Sequence, residues 1–234
     1  MKNIVVAGGT KGIGKVIVQL SLEQGNRVFV YARSQDGLES HPNLSYFSVD
    51  FSIPGDGLEG LPEQIDQLVY CPGSIQLAPF HRMKHSVFTD EFQLNVLGAV
   101  RSIQACIPGL KKAENSSVVL FSTVAVQTGM PFHSSIAAAK GAIEGLTRSL
   151  AAEYASSGIR FNAIAPSLTD TDLASRLLNT PEKQEASAKR HPLGRYGTAD
   201  DIAQAALFLL SDKSTWISGQ ILSVDGGMGS LRML

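Results

Sequence analysis

The sequence is poor in cysteine. Its two thiols, Cys71 and Cys106, lie far apart and without metal-ligand spacing. That argues against a disulfide framework and a zinc site, no metal is expected, and a reducing cytoplasm fits best. Charge bias is also lacking, with 20 Lys and Arg against 21 Asp and Glu and a formal net charge of −1. No basic stripe is visible, so nucleic acid is not expected as a partner. A long apolar run is missing too. The opening stretch "MKNIVVAGGTKGIG" begins apolar, but glycines interrupt it at once. It reads as neither a signal peptide nor a membrane span. Repeats, low-complexity tracts and a clear linker are absent, so residues 1–234 read as one domain. What remains is 44% hydrophobic and 18% charged, the make-up of a globular chain with a substantial core.

Short apolar runs alternate with helical patterns from end to end. "NIVVAGG", "RVFVYAR", "LSYFSVD", "IDQLVYCPG", "SSVVLFST", "IRFNAIAPS" and "GQILSVDGG" read as seven strands. Their near-continuous hydrophobicity is that of buried parallel strands covered on both faces, hence a doubly wound α/β fold. "IGKVIVQLSLEQG" reads as a helix closed at Gly25. "SVFTDEFQLNVLGAVRSIQACI" reads as one long helix stopped near Pro108 and Gly109. A second long helix is expected from about Ser135 to Ser156, with Ser134 and Ser135 as caps, and a third after an N-cap at Thr198. Residues 167 to 197 read as a long loop with an embedded helical piece. The connections 34–43 and 51–64 are too short and too rich in Gly, Pro and polar residues for full covering helices.

"VAGGTKGIG" joins the first strand to the first helix. Gly8, Gly12 and Gly14 are spaced for a tight turn under a dinucleotide, where glycine lets the backbone approach a pyrophosphate and the helix N-terminus favours its charge. The second strand ends at Ala32 and Arg33, where an NAD site usually carries a carboxylate. Arg33, with Lys11 in the loop, fits a 2′-phosphate instead, so NADP(H) is the expected cofactor. Asp50 ends the third strand, in reach of an adenine amino group.

Taken together, the chain resembles a short-chain dehydrogenase/reductase over essentially its whole length. "GGTKGIG" resembles the family's nucleotide loop, "YCPG" retains Gly73 after the fourth strand, and "LNVLG" carries the matching Asn95. "GIRFNAIAPSLTDTDL" resembles the segment that meets the nicotinamide, with Pro166 and Thr171 matching and Ser167 in place of a glycine. The general style is nearest the 3-oxoacyl-carrier-protein reductases. The resemblance implies a Rossmann-type fold and a cofactor held by Gly8, Thr10, Lys11, Gly12, Ile13, Gly14, Arg33, Asp50, Gly73, Asn95, Lys140, Pro166, Thr169 and Thr171. It also implies a small-molecule substrate and a homodimer or homotetramer packed through the two long helices, where Ala137, Ala138, Ala142 and Gly145 permit close contact.

The family reduces carbonyls with a tyrosine acid four residues before a lysine, a spacing that sets both on one helix face. In "SSIAAAKGAI" the lysine is Lys140 and the tyrosine position is Ile136. Asn95 and Lys140 match the family's catalytic set, and Thr123 stands at the serine position with its hydroxyl retained. His133, seven residues before Lys140, is the candidate substitute acid. The enoyl-carrier-protein reductases place their tyrosine at that same distance, although "GGTKGIG" is not their glycine pattern. Three readings follow: an NADP(H)-dependent oxidoreductase of carbonyl, alcohol or enoyl substrates with altered proton delivery, a non-catalytic NADP(H)-binding protein, or a lyase or isomerase without net redox change.

Overall fold

The computed structural model describes residues 1–55 and 57–232. In chain order the elements are β1 (Asn3–Ala7), α1 (Gly12–Glu23), β2 (Arg27–Ala32), β3 (Leu44–Ser48), β4 (Gln67–Tyr70), α2 (His85–Phe92), α3 (Gly98–Leu110) and β5 (Ser116–Phe121). There follow the one-turn α4 (Ala125–Thr128), α5 (Ser134–Glu153), β6 (Ile159–Pro166), β7 (Thr169–Asp170), α6 (Pro181–Lys189), β8 (Gly197–Thr198), α7 (Ala199–Leu210) and β9 (Ile221–Val224). The seven expected strands form one sheet in the order β3-β2-β1-β4-β5-β6-β9, and every pairing is parallel.

Side-chain alternation along β1 builds a core on each face. Val5 and Ala7 join the cluster under α3 and α5, while Ile4 and Val6 join the one under α1 and α7. No helix covers the sheet between β2 and β3 or between β3 and β4 among the described residues, as the short connections imply. Strand order reverses between β1 and β4, and in such sheets ligands bind at the carboxyl ends of the strands beside that switch point.

Three local expectations change. The long helix breaks into α2, a π-helical turn at Gln93–Leu97, and α3. The end of α3 falls at Leu110, one residue past Gly109, with Pro108 inside its last turn. The carbonyl deprived of its donor by Pro108 belongs to Gln104, on the exposed face of the helix, where water can serve it. The cap of α5 is His133, not Ser134 or Ser135, and its carbonyl accepts the Ala137 N–H at 2.8 Å. Ser135 is instead buried against α2. Thr198 does cap α7. Residues 167 to 197 hold more order than a loop: β7 pairs with β8, and α6 lies between them.

Candidate cofactor and substrate site

A cleft of about 780 Å³ opens along the carboxyl ends of β1, β2, β4, β5 and β6. Its floor is the turn from β1 into α1. Gly8 and Gly12 have φ of 73° and 51°, a region that suits glycine. A Cβ on Gly14 would stand 2.2 Å from the Gly8 carbonyl oxygen, so no other residue lets α1 start this close to the strand. The first turn of α1 has no side-chain cap. Its N–H groups and dipole therefore suit a phosphate, and the cradle fits a dinucleotide pyrophosphate. Thr10, Lys11 and Ile13 line the same floor.

Ala32 and Arg33 line the cleft where β2 ends, and Arg33 and Lys11 are both exposed there. Asp50 lines it too. Its Oδ1 accepts from the Ser52 N–H and Oγ at 2.8 and 2.6 Å. Those hydrogen bonds, with Arg33 and Arg101 nearby, hold its carboxyl below the usual range.

Past the switch point lie Cys71, Pro72 and Gly73. A Cβ on Gly73 would meet Asn95 Oδ1 at 3.1 Å and Lys140 Nζ at 3.8 Å, so β4, the π turn and α5 bring these residues together. Asn95 is fully buried, and its Nδ2 donates to the Glu91 carbonyl at 2.9 Å, the backbone acceptor of the turn before it. Its Oδ1 has no partner. Lys140 is 9% exposed, and burial lowers its pKa to about 8 against the opposing pull of Cys71 and Glu91. Burial pushes the Cys71 thiol up to about 12.

Glu91 was not legible as part of this site. It sits 1% exposed behind Lys140, with its Oε1 accepting the Gln76 N–H at 2.6 Å, and burial raises its pKa. Ser135 is close enough to pull that pKa back down, although Ser135 Oγ and Glu91 Oε2 make no well-formed hydrogen bond. An acidic residue on an apparently amphipathic helix reads as a solvated one, so no sequence signal marked it.

On the opposite wall, Thr123 faces the cleft. Its neighbour Ser122 is turned inward, donating to Glu144 Oε1 at 2.8 Å. His133 lines the cleft at its rim, and its Nδ1 lies 2.8 Å from the Pro131 carbonyl. The preceding Phe132 has φ of 71°, uncommon for a bulky side chain and a sign that this rim is held against local preference. Ile136, 3% exposed, fills the wall one turn before Lys140. Among the described lining residues there is no tyrosine.

Pro166, Thr169 and Thr171 complete the wall beyond β6. Beside them is a pair the sequence did not join: Ser167 Oγ lies 2.8 Å from His191 Nε2. Ser167 stood out as a departure from glycine, while His191 fell within the stretch 167 to 197 read as a loop; 24 positions of chain separate them. Among the described residues no His, Cys, Asp and Glu group could hold a metal ion, and no helix is long and apolar enough to cross a membrane.

Comparison with known proteins accords with this geometry. A family model described as enoyl-(acyl carrier protein) reductase matches residues 58–229. The chain is 32% identical to 2-(S)-hydroxypropyl-CoM dehydrogenase 3 of Xanthobacter autotrophicus, over 99% of this chain and 98% of that one. It is 31% identical to the 3-oxoacyl-[acyl-carrier-protein] reductase of Thermotoga maritima, over 97% of each. A solved structure of a tyrosine-to-phenylalanine variant of ElxO with NADPH bound superposes with a TM-score of 0.87 at 25% identity, covering 99% of this chain and all of that one. A parallel sheet with its cleft at the switch point, and relatives matched over nearly their full length, make this chain a member of the short-chain dehydrogenase/reductase family.

Proposed function

We propose that the whole chain is one NADP(H)-binding domain and that it acts as an oxidoreductase on a carbonyl, alcohol or enoyl compound without a tyrosine acid. The observation that carries this is the convergence of buried Lys140, Asn95 and Gly73 on one point of a cleft that begins at the glycine turn. Bound there, the dinucleotide supplies hydride chemistry. The chain's own residues do the rest. Gly8 to Gly14 receive the pyrophosphate, Arg33 and Lys11 favour a 2′-phosphate over a bare ribose, and Lys140 grips the nicotinamide ribose. Thr123 polarises the substrate oxygen, and Ile136 at the tyrosine position leaves proton delivery to another group. His133, on the rim, is one candidate. The NADPH-bound ElxO variant supports the view that such a site keeps its cofactor without the phenol. The protein is proposed to work in the cytoplasm as a homodimer or homotetramer.

The absence of tyrosine from the described cleft lining also favours a second reading, a non-catalytic NADP(H)-binding protein. NADPH deuterated at the transferable position separates the two. Incubated with a panel of ketones, aldehydes and enoyl thioesters, an oxidoreductase passes deuterium to one face of at least one compound. Tight NADPH binding with no transfer to any of them would favour the binding protein over the oxidoreductase.

A further inference from the structure

The loop after β6 and the end of α6 meet at one side of the cleft. Ser167 follows Pro166, the last residue of β6, and the Pro166 carbonyl accepts the Val124 N–H at 3.1 Å. That bond holds the segment that carries Ser167 against the one that carries Thr123. Both hydroxyl residues line the cleft. His191 comes from the other direction, just past α6, and is 3% exposed.

The imidazole is held at both nitrogens. Nδ1 lies 2.7 Å from the Ser187 carbonyl, which can only accept, so Nδ1 carries the proton. Nε2 then has a bare lone pair, and the Ser167 hydroxyl 2.8 Å away is its donor. Ser187 is itself 1% exposed and fixed by α6, so the ring cannot easily turn. The result is a hydroxyl on a base on an orienting acceptor, the arrangement that activates a hydroxyl for proton transfer. Two charged groups lie close to the ring. Arg190 adjoins it in sequence and donates to Ser187 Oγ at 3.0 Å. Asp225 belongs to the turn after β9 that packs on the His191 side chain, and its carboxylate is committed to the N–H groups of Gly227 and Gly229 at 2.9 and 2.8 Å.

We propose that Ser167 and His191 are the proton-transfer pair of this site, with Ser167 touching the substrate and His191 acting through it. The inference rests on the oxidoreductase reading above. In the oxidative direction an alcohol gives its O–H proton to Ser167 Oγ as the Ser167 proton moves to His191 Nε2. The alcohol's C–H bond breaks, its electron pair leaves as hydride for the oxidised nicotinamide, and the C=O bond forms. His191 becomes an imidazolium whose Nδ1–H stays on the Ser187 carbonyl. After the carbonyl product departs, the proton returns through the same two atoms to water in the cleft. Reduction runs the same path backwards, from the imidazolium.

The first test needs no substrate. In the cofactor-free full chain with ¹⁵N-labelled histidine, the resonances that vanish in His191→Gln should show a protonated Nδ1 and a bare Nε2. Ser167→Ala should shift that Nε2 signal. A protonated Nε2, or one indifferent to Ser167→Ala, overturns the pair. The second test uses whichever compound accepts deuterium from labelled NADPH. Ser167→Ala should lower kcat by about 10²–10⁴-fold, the usual worth of a positioned acid or base, while NADPH affinity persists. Ser167→Thr, which keeps the hydroxyl, should recover part of that loss. Deuterium transfer at an unchanged rate in Ser167→Ala would sink the relay and leave the oxidoreductase reading standing. No transfer by the unaltered protein would sink both.

Discussion

At the scale of single residues, the cleft trades stability for an ion in a dry place. Lys140 has an ordinary pKa of 10.5 lowered to about 8, chiefly by burial. The sign follows from proton counting. Between about pH 8 and 10.5 the unfolded chain holds a proton that the folded one lacks, so this group's contribution to stability rises with pH across that window. Below about pH 8 both states are charged and the burial penalty is present in full, about 3 kcal/mol from the shift. Lys140→Met should therefore raise unfolding stability at neutral pH by roughly 1–3 kcal/mol, lose NADPH affinity, and converge with the unaltered protein toward pH 10. Urea unfolding of the two proteins side by side measures it, and a destabilised Lys140→Met at pH 7 would contradict the burial argument. The difference is the proper quantity, because Cys71, pushed up to about 12, slopes the other way. Lys140, Asn95, Gly73 and Thr123 were legible because each belongs to a local pattern. Ser167 with His191, and Glu91 with Lys140, were not, since their meaning lies in contacts between segments distant in sequence.

At the scale of elements, the far wall of the cleft hangs from the start of α7. Thr198 Oγ1 accepts the Asp201 N–H at 3.2 Å, and Asp201 Oδ2 accepts the Thr198 N–H at 2.8 Å, a closed capping box. Arg195 clamps the same carboxylate with two bonds of 2.6 and 2.7 Å, which holds the carboxyl far below its usual range. Thr198 also lies in β8, whose partner β7 carries the cleft residue Thr169. Thr198→Ala should cost about 1 kcal/mol in urea unfolding at pH 7. Asp201→Asn should cost a similar amount, since Arg195 is over half exposed and the pair is screened. The Asp201 contribution is fully present above the carboxylate's unfolded pKa and fades as pH falls toward the folded one, so the two proteins should approach each other in acid. A gap that stays constant down to pH 2 would refute the ionic part. The capping threonine was visible in sequence because a cap is local chemistry. The π turn was not: a side chain competing for the Glu91 carbonyl leaves no trace in a hydrophobic pattern.

At the scale of the whole molecule, α5 offers a face of small residues to the outside. Gly145 is exposed, and a Cβ there meets nothing within 4 Å. Within one chain, Gly145→Glu should be neutral or stabilising, because glycine in a helix interior costs up to about 1 kcal/mol. In an oligomer packed through this face, the added bulk and charge should separate the subunits. Sedimentation should then move from dimer or tetramer to monomer with no loss of helical signal, whereas an unchanged oligomer would put the interface elsewhere. The sequence by itself determined the seven parallel strands, the glycine turn, the family and the lysine, because strand patterning, turn chemistry and helix spacing are set by near neighbours. Only the tertiary structure decided which polar groups share the buried cleft. Lys140 with Glu91, and Ser167 with His191, come together only when parallel strands and their crossover helices stack, because each pair is drawn from segments far apart in sequence.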